Sequence, residues 1–286
     1  YALGSGAVVC NIKDNVFDGG LYPVDLLAYD NVSMTAEITG NTIMNSSRDG
    51  AIYMQTDDAT SLNALISRNT FTNNGLVAIE VISFGSSSIA LTISDNTISD
   101  AGSGVSLWSA GNSSFDAVVS GNIISNMSTG IGLYSADSSS LTATISGNTI
   151  DDADYGMDIE AWDSGILTAA VTGDTITGSS ENGVSFYVFN DAALNANFSG
   201  NHILNSNVGV YLYNNASSIT PVIDFGGGSL NSSGNNSIYD NIVYNVQNAL
   251  AIAVISAQNN WWGTPTPDPA KFSGTVDYTH PLERAP

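Results

Sequence analysis

Asp158 and Glu160 stand two residues apart in the stretch GMDIEAW. If that stretch is a strand, both side chains leave the same face, about 6 to 7 Å apart. Two carboxylates at such a separation are what an inverting glycoside hydrolase uses as general acid and general base. The competing expectation is a pair of solvated carboxylates on an acidic protein. Just upstream, Asp151, Asp152 and Asp154 could join Asp158 in an oxygen-only calcium site, since calcium takes carboxylate and carbonyl oxygens. Their spacing matches no EF-hand or nonapeptide pattern, so solvated loop acids compete with calcium here as well. Other metal chemistry has little to work with. Cys10 is the single cysteine, and His202 and His280 are the two histidines, far apart in the chain. His202 takes the position after a corner asparagine, which suits an outward structural residue better than a ligand.

What would hold such residues in place is a repeat. SGNTI (146–150) recurs as TGNTI (39–43), SDNTI (94–98), SGNII (120–124), TGDTI (172–176) and SGNHI (199–203). Its central residues are Asn15, Asn41, Asn69, Asn96, Asn122, Asn148, Asp174 and Asn201, separated by 26, 28, 27, 26, 26, 26 and 27 residues. A period that regular predicts a solenoid. Two residues after each comes a large apolar side chain: Phe17, Ile43, Phe71, Ile98, Ile124, Ile150, Ile176 and Ile203. Before each the pattern alternates with period two, as in Leu141, Ala143 and Ile145 inward with Thr142, Thr144 and Ser146 outward. That is strand patterning. Each coil should therefore hold three short strands and three turns, with like residues stacked at the ~4.8 Å strand spacing. Parallel crossovers should wind to the right. The recurring pentapeptide is then the corner. It needs residues that tolerate the left-handed region, and its asparagines can bond amide to amide from coil to coil.

These repeats resemble a right-handed parallel β-helix of the pectate-lyase-like superfamily, whose asparagine ladder occupies this two-residue corner. The resemblance covers nearly the whole chain and implies an all-β solenoid of about nine to ten coils of 26–28 residues. IDFGGGSLNSSGNNSI (223–238) and AQNNWWG (257–263) are similar to closing coils of large secreted adhesin-like and autotransporter-like β-helix proteins. There Asn236 and Asn260 continue the ladder, with a loop insertion around 224–236. The solenoid is expected over 1–263, and 264–286 as a C-terminal capping segment and tail. Trp261 and Trp262 supply bulk there, and the three prolines of TPTPDPAKF cannot extend a sheet.

In polysaccharide enzymes of that superfamily the cleft runs along the outer face of the strand after the variable loop, which the resemblance places here at GVSLWS and its copies. Two outward columns follow. One is Asp25, Tyr53, Glu80, Ser106, Gly132, Asp158, Ser185 and Tyr211, the other Leu27, Gln55, Ile82, Trp108, Tyr134, Glu160, Tyr187 and Tyr213. Trp162 and Phe189 extend the aromatic set. An aromatic stripe rimmed with hydroxyls and carboxylates suits stacking on sugar rings, with Trp108, Tyr134, Trp162, Tyr187, Tyr211 and Tyr213 as the ligand-binding candidates. The alternative is that these rings pack under loops or against other protein subunits. Uronate lyases of the fold take a proton with Arg or Lys, yet Lys13, Arg48, Arg68, Lys271 and Arg284 all fall off this face. A lyase is therefore disfavoured relative to an inverting hydrolase.

Composition narrows the partners. With 27 acidic against 5 basic residues the formal charge is −22, which repels nucleic acid and anionic membrane. No apolar run reaches 18 residues, so no transmembrane segment is expected. The resemblance implies an extracellular or cell-surface setting, while the superfamily mixes enzymes, adhesins and filament proteins. The expected function is a non-catalytic structural or adhesive β-helix without a cofactor, calcium being the one ion considered, that recognises polysaccharide along the aromatic face. A polysaccharide-degrading enzyme is the alternative. At the other end AVVCNIKDN (7–15) is already in repeat register with six residues ahead of it. Upstream chain or head-to-tail self-association is expected to cover that end.

Overall fold

The computed structural model describes residues 1–48, 50–215, 220–249 and 254–286. The chain is an all-β solenoid of parallel strands. Strands that precede the corner, from Ser5–Lys13 through Asn31–Thr39, Ser61–Ser67 and onward to Val276–Asp277, form one sheet of 11 strands in chain order. Strands that follow it form a second sheet of 16. Every pairing is parallel and in the register of the repeat, as in Ile98↔Ile124↔Ile150↔Ile176.

Three strands per coil is true of most coils but not of the middle three. There the two strands after the corner run on as single 13-residue strands, Thr97–Ser109, Ile123–Ser135 and Thr149–Ala161. The bend expected between them survives as one residue of positive φ, at Asp100, Asn126 and Asp152. Asn126 Nδ2 bonds Asp100 Oδ1 across coils at 2.5 Å. A single left-handed residue changes the strand's direction without ending its pairing.

The core is the column set read from the alternation. Ile43, Phe71, Ile98, Ile124, Ile150, Ile176 and Ile203 are all fully buried, over Ile38, Ile66, Ile93, Val119, Ile145 and Val171. Each such side chain withdrawn from water contributes roughly 1.5 to 3 kcal/mol before entropy. Phe17, in the first coil, is only partly buried.

The corner is a ladder of ten residues: Asn15, Asn41, Asn69, Asn96, Asn122, Asn148, Asp174, Asn201, Asn236 and Asn260. Each backbone N–H donates to the side-chain oxygen of the next member, and each asparagine Nδ2 donates to the same oxygen, at 2.7 to 3.1 Å. From Asn41 on, each asparagine amide also reaches a carbonyl one coil back, for example Asn122 to Ile93 and Asn148 to Val119. One detail differs from expectation: none of the ladder asparagines has positive φ. The left-handed residue is the one before it, Gly40, Arg68, Asp95, Gly121, Gly147, Gly173 or Gly200. The asparagine is selected for its amide alone.

A second polar column, unnoticed in the sequence, closes the opposite turn. Ser83, Ser109 and Ser135 point inward, fully buried, and pair with Ser87, Ser113 and Ser139 at 3.0 to 3.1 Å.

The insertion before Asn236 is built around one carboxylate. Asp224, fully buried, accepts from the backbone N–H groups of Gly226 and Gly228 on Oδ1 and of Leu230 and Ser232 on Oδ2. Beyond the tryptophans the chain departs from the expected cap. Past the prolines, Phe272–Ser273 pairs with Tyr244–Asn248, and Val276–Asp277 with Ile255–Ser256, so both sheets are extended once more. The prolines occupy the connection and leave the later residues free to pair. Trp262 is buried edge-on to Phe272, which stacks on Tyr278 at 3.9 Å. At the first coil, Ser5–Lys13 pairs with Asn31–Thr39, and Val9 is 69% exposed.

Candidate functional site

Register alone assembles the outer face. Asp25, Tyr53, Glu80, Ser106, Gly132, Asp158, Ser185 and Tyr211 are consecutive partners across eight parallel strands. Leu27, Gln55, Ile82, Trp108, Tyr134, Glu160, Tyr187 and Tyr213 are partners in the row beside them. Neither row contains a lysine or an arginine.

The small residues of the first row lie beneath the rings of the second. Tyr134 folds back over Gly132: a Cβ built there would sit 2.6 Å from the Tyr134 ring and hydroxyl. This bare backbone lets the Tyr134 hydroxyl reach Asp158 Oδ2 at 3.4 Å. Ser185, also outward by register, is fully buried and accepts from Asn182 Nδ2 at 3.0 Å. Outward in the pleat is not the same as exposed.

At the centre sit Asp158 and Glu160. Their backbones lie the roughly 6 to 7 Å apart that strand rise dictates, and the two carboxyl groups face each other closely enough for each to shift the other's proton affinity. The rotamers turn toward one another because Tyr134 and Trp162 hold the outer sides: Trp162 Nε1 donates to Glu160 Oε2 at 2.8 Å. Desolvation, and then the neighbouring carboxylate, push Asp158 upward from the ordinary carboxylate range. Desolvation raises Glu160 as well. Asp158 Oδ1 is buried and meets no protein N–H or O–H donor. One proton shared by the pair supplies that donor and removes the repulsion of two adjacent anions. Tyr134, half-buried beside them, has its phenol pushed up by desolvation and by both carboxylates, so it stays a neutral donor. Tyr155, just outside the rows, is raised by desolvation and by Glu181 and Asp158. It lies within the Thr149–Ala161 strand, paired with Thr129 and Asn182, in a stretch that the repeat reads as variable loop.

The rings divide into two groups. Trp108 and Tyr134 stack on each other at 4.4 Å and 18°, and Trp162 on Phe189 at 3.9 Å and 21°. Their facing surfaces are therefore occupied by one another, not open to a sugar. Downstream, Tyr187 meets Tyr211 at 58° and Tyr213 at 50° and lies parallel to Phe189 at 6.3 Å. Tyr213 is the most open of them, 37% exposed.

The acids proposed for calcium turn elsewhere. Asp151 accepts from the Thr177 hydroxyl and Asp154 from the Ser180 hydroxyl, one coil on, and Asp152 is the positive-φ residue of its strand. Among the described residues, no three acids, histidines or cysteines converge on one point. No helix among them is long and apolar enough to cross a membrane.

Residues 3–190, well over half the chain, match the family described as right handed beta helix region. The chain belongs to the right-handed β-helix family. The winding expected from the repeat is the winding of this family, and the solenoid of about ten turns is its architecture. Residues 132–268 of this β-helix also match a family described as a protein of unknown function (DUF1565). A search of the curated proteins finds no match. Among solved structures the β-helix is similar to the A-module of the mannuronan C-5 epimerase AlgE4 of Azotobacter vinelandii. The two are 11% identical over 89% of this chain and 91% of that one, with a TM-score of 0.23.

Proposed function

We propose that the protein is a structural or adhesive β-helix of the cell surface or extracellular space that recognises a glycan free of negative charge along its outer face. The observation that carries this reading is the pair of rows just described. They run unbroken across eight coils, offer phenol hydroxyls and carboxyl oxygens between apolar ring edges, and contain no cationic side chain. Such a surface satisfies hydroxyls and C–H faces together, as sugar recognition requires. Polyuronates would be repelled by the carboxylates of the face and by a net charge of −22.

Turnover is the competing function, and the central pair speaks against it. An inverting hydrolase separates its carboxyl groups by about 6.5 to 9.5 Å and a retaining one by about 5 to 5.5 Å, to admit water or the sugar. Here the inner carboxyl is desolvated and linked in its titration to the outer one, so the pair behaves as one protonated acid and not as a separate acid and base. The pair is better suited to donate one hydrogen bond and accept another from a bound hydroxyl.

Titration of the purified protein with neutral and acidic polysaccharides, followed by assays for new reducing ends and unsaturated products, tests the reading. Binding of a neutral polysaccharide without product is expected. Absence of binding to any glycan, or steady release of reducing ends, would overturn it.

A further inference from the structure

Three coils upstream of the carboxyl pair the same face hollows into a cavity of about 470 Å³. That size lies within the range of small-ligand sites and accommodates one or two sugar rings. Among the described residues Asp25 and Glu80 are the charged ones that line it, and no lysine or arginine does. They occupy the same row with Tyr53 between them, two strands apart, which sets their backbones roughly 9 to 10 Å from each other. The Tyr53 hydroxyl donates to Gln55 Oε1 at 2.7 Å, fixing both side chains in the floor. Tyr22, brought in from a loop outside the repeat, meets the Tyr53 ring at 5.9 Å and 56°, so two aromatic walls stand at an angle. Leu76 and Ile82 complete an apolar rim.

We infer that this cavity binds a protonated amino sugar, a residue carrying a free amine within the glycan that the face recognises. This deepens the glycan reading and rests on it. Two carboxylates with an aromatic surface between them favour a cation that also has an apolar ring face. A bare divalent ion fits less well. Calcium takes about six to eight oxygens, and among the described residues no three acids, histidines or cysteines gather here to supply them. Continuity with the glycan face is direct, because Glu80 and Ile82 are register partners of Ser106 and Trp108. A chain lying along the rows would therefore present successive residues first to the cavity and then to the rings. Burial and Glu80 push the Tyr53 phenol up to about 12, so it stays uncharged and adds no third anion.

Calorimetric titration compares three oligosaccharides of equal length: a glucosamine oligomer, its fully N-acetylated counterpart and a neutral glucose oligomer, at a pH that keeps the amine protonated. The wild type should bind the free amine at least tenfold more tightly than the other two. Asp25→Asn with Glu80→Gln should abolish that preference, bringing the affinity for the glucosamine oligomer down to that of the two neutral oligomers measured on the same variant. Because the double variant removes two of 27 acidic residues, diffuse attraction to an acidic protein would leave the preference nearly intact, and that result overturns the inference. Equal affinities in the wild type overturn it as well. If the neutral oligomers bind and Tyr211→Ala with Tyr213→Ala weakens them while no amine preference exists, the glycan reading stands and this inference falls. If none of the three binds, both fall.

Discussion

The interior corner and the outer face are each one residue per coil in strict register, yet they treat that register in opposite ways. At the corner the repeat places the same amide at nine of ten positions, each hydrogen-bonded to its neighbours, and a carboxylate at the tenth, Asp174. Along one row of the face the same register places aspartate, tyrosine, glutamate, serine and glycine in turn. The corner has one task in every coil, so uniformity stabilises it. The face differs from coil to coil, so its polar groups answer to local partners and to whatever lies outside. Buried acids show the contrast well. Asp224 has four backbone donors and Asp174 has an orphaned oxygen, whereas Asp158 has only another acid and a tyrosine.

Breaking the corner should give the largest effect. Asn122→Ala strands the N–H and Nδ2 of Asn96 and the carbonyl of Ile93, all buried. Each orphaned group costs about 1 to 3 kcal/mol, so a loss of roughly 3 kcal/mol is expected in denaturant unfolding. The backbone contributes nothing to this loss, since the left-handed residue is Gly121. A loss below ~1 kcal/mol would mean the ladder is ornamental.

Asp174 tests the same ladder in the other direction. It accepts from Asn148 but has no amide to return, and its Oδ2 is buried without a partner. Desolvation raises it from 3.8 to about 6 against the lowering effect of those hydrogen bonds. The raised carboxyl contributes stability that is complete below the unfolded value and is lost as pH rises to about 6. By linkage that is on the order of 3 kcal/mol. Asp174→Asn restores the missing donor, so it should stabilise the protein at pH 7.5 by ~2 kcal/mol and flatten its pH dependence between 4 and 6. A variant less stable than wild type at pH 7.5 would show that the acid is favoured where it stands.

Much of this was legible in the sequence because a solenoid repeats its errors as well as its successes. Eight of the ten ladder positions, the inward columns and both outward rows follow from period and alternation alone, and Asn236 and Asn260 from the resemblance. What escaped was set by side-chain direction or by residues outside the repeat. Strand rise fixes where Asp158 and Glu160 leave the backbone, not that their rotamers converge. Nothing in GIGLYS says that Tyr134 lies back over Gly132. Tyr22 belongs to a loop that aligns with no copy, and Tyr155 to a stretch read as variable loop whose continuous pairing only the structure shows. The prolines after Trp262 read as a stop, although a proline bars pairing only at its own position.

The face should respond to pH less steeply, and as a pair. Asp158 and Glu160 share a proton, so their stability contribution is present in acid and lost as pH rises from the ordinary carboxylate range to about 8. Asp158→Asn keeps a donor beside Glu160 and removes the repulsion. Its melting temperature should exceed that of the wild type at pH 8.5 and match it at pH 5. A difference that grows toward acid instead would rule out the shared proton.

The smallest effects should separate rings that hold the face together from rings that hold a ligand. Trp108 is half-buried and gives one face of its indole to Tyr134 at 4.4 Å. Tyr213 meets its neighbours only at an angle and is 37% exposed. Removing Trp108 should therefore cost stability, about 1 kcal/mol beyond lost area for the stacked pair. It should weaken glycan binding little once the comparison is made well below the melting temperature. Tyr213→Ala should do the reverse, leaving the melting temperature within a degree or two and weakening a neutral oligosaccharide about five- to tenfold, the loss of one aromatic contact. Measuring both variants for both properties makes each the control of the other. If Trp108→Ala removes binding at full stability while Tyr213→Ala does not, the ligand lies over the stacked rings and opens them. The division of the face between structural and recognition rings would then have to be redrawn around Trp108.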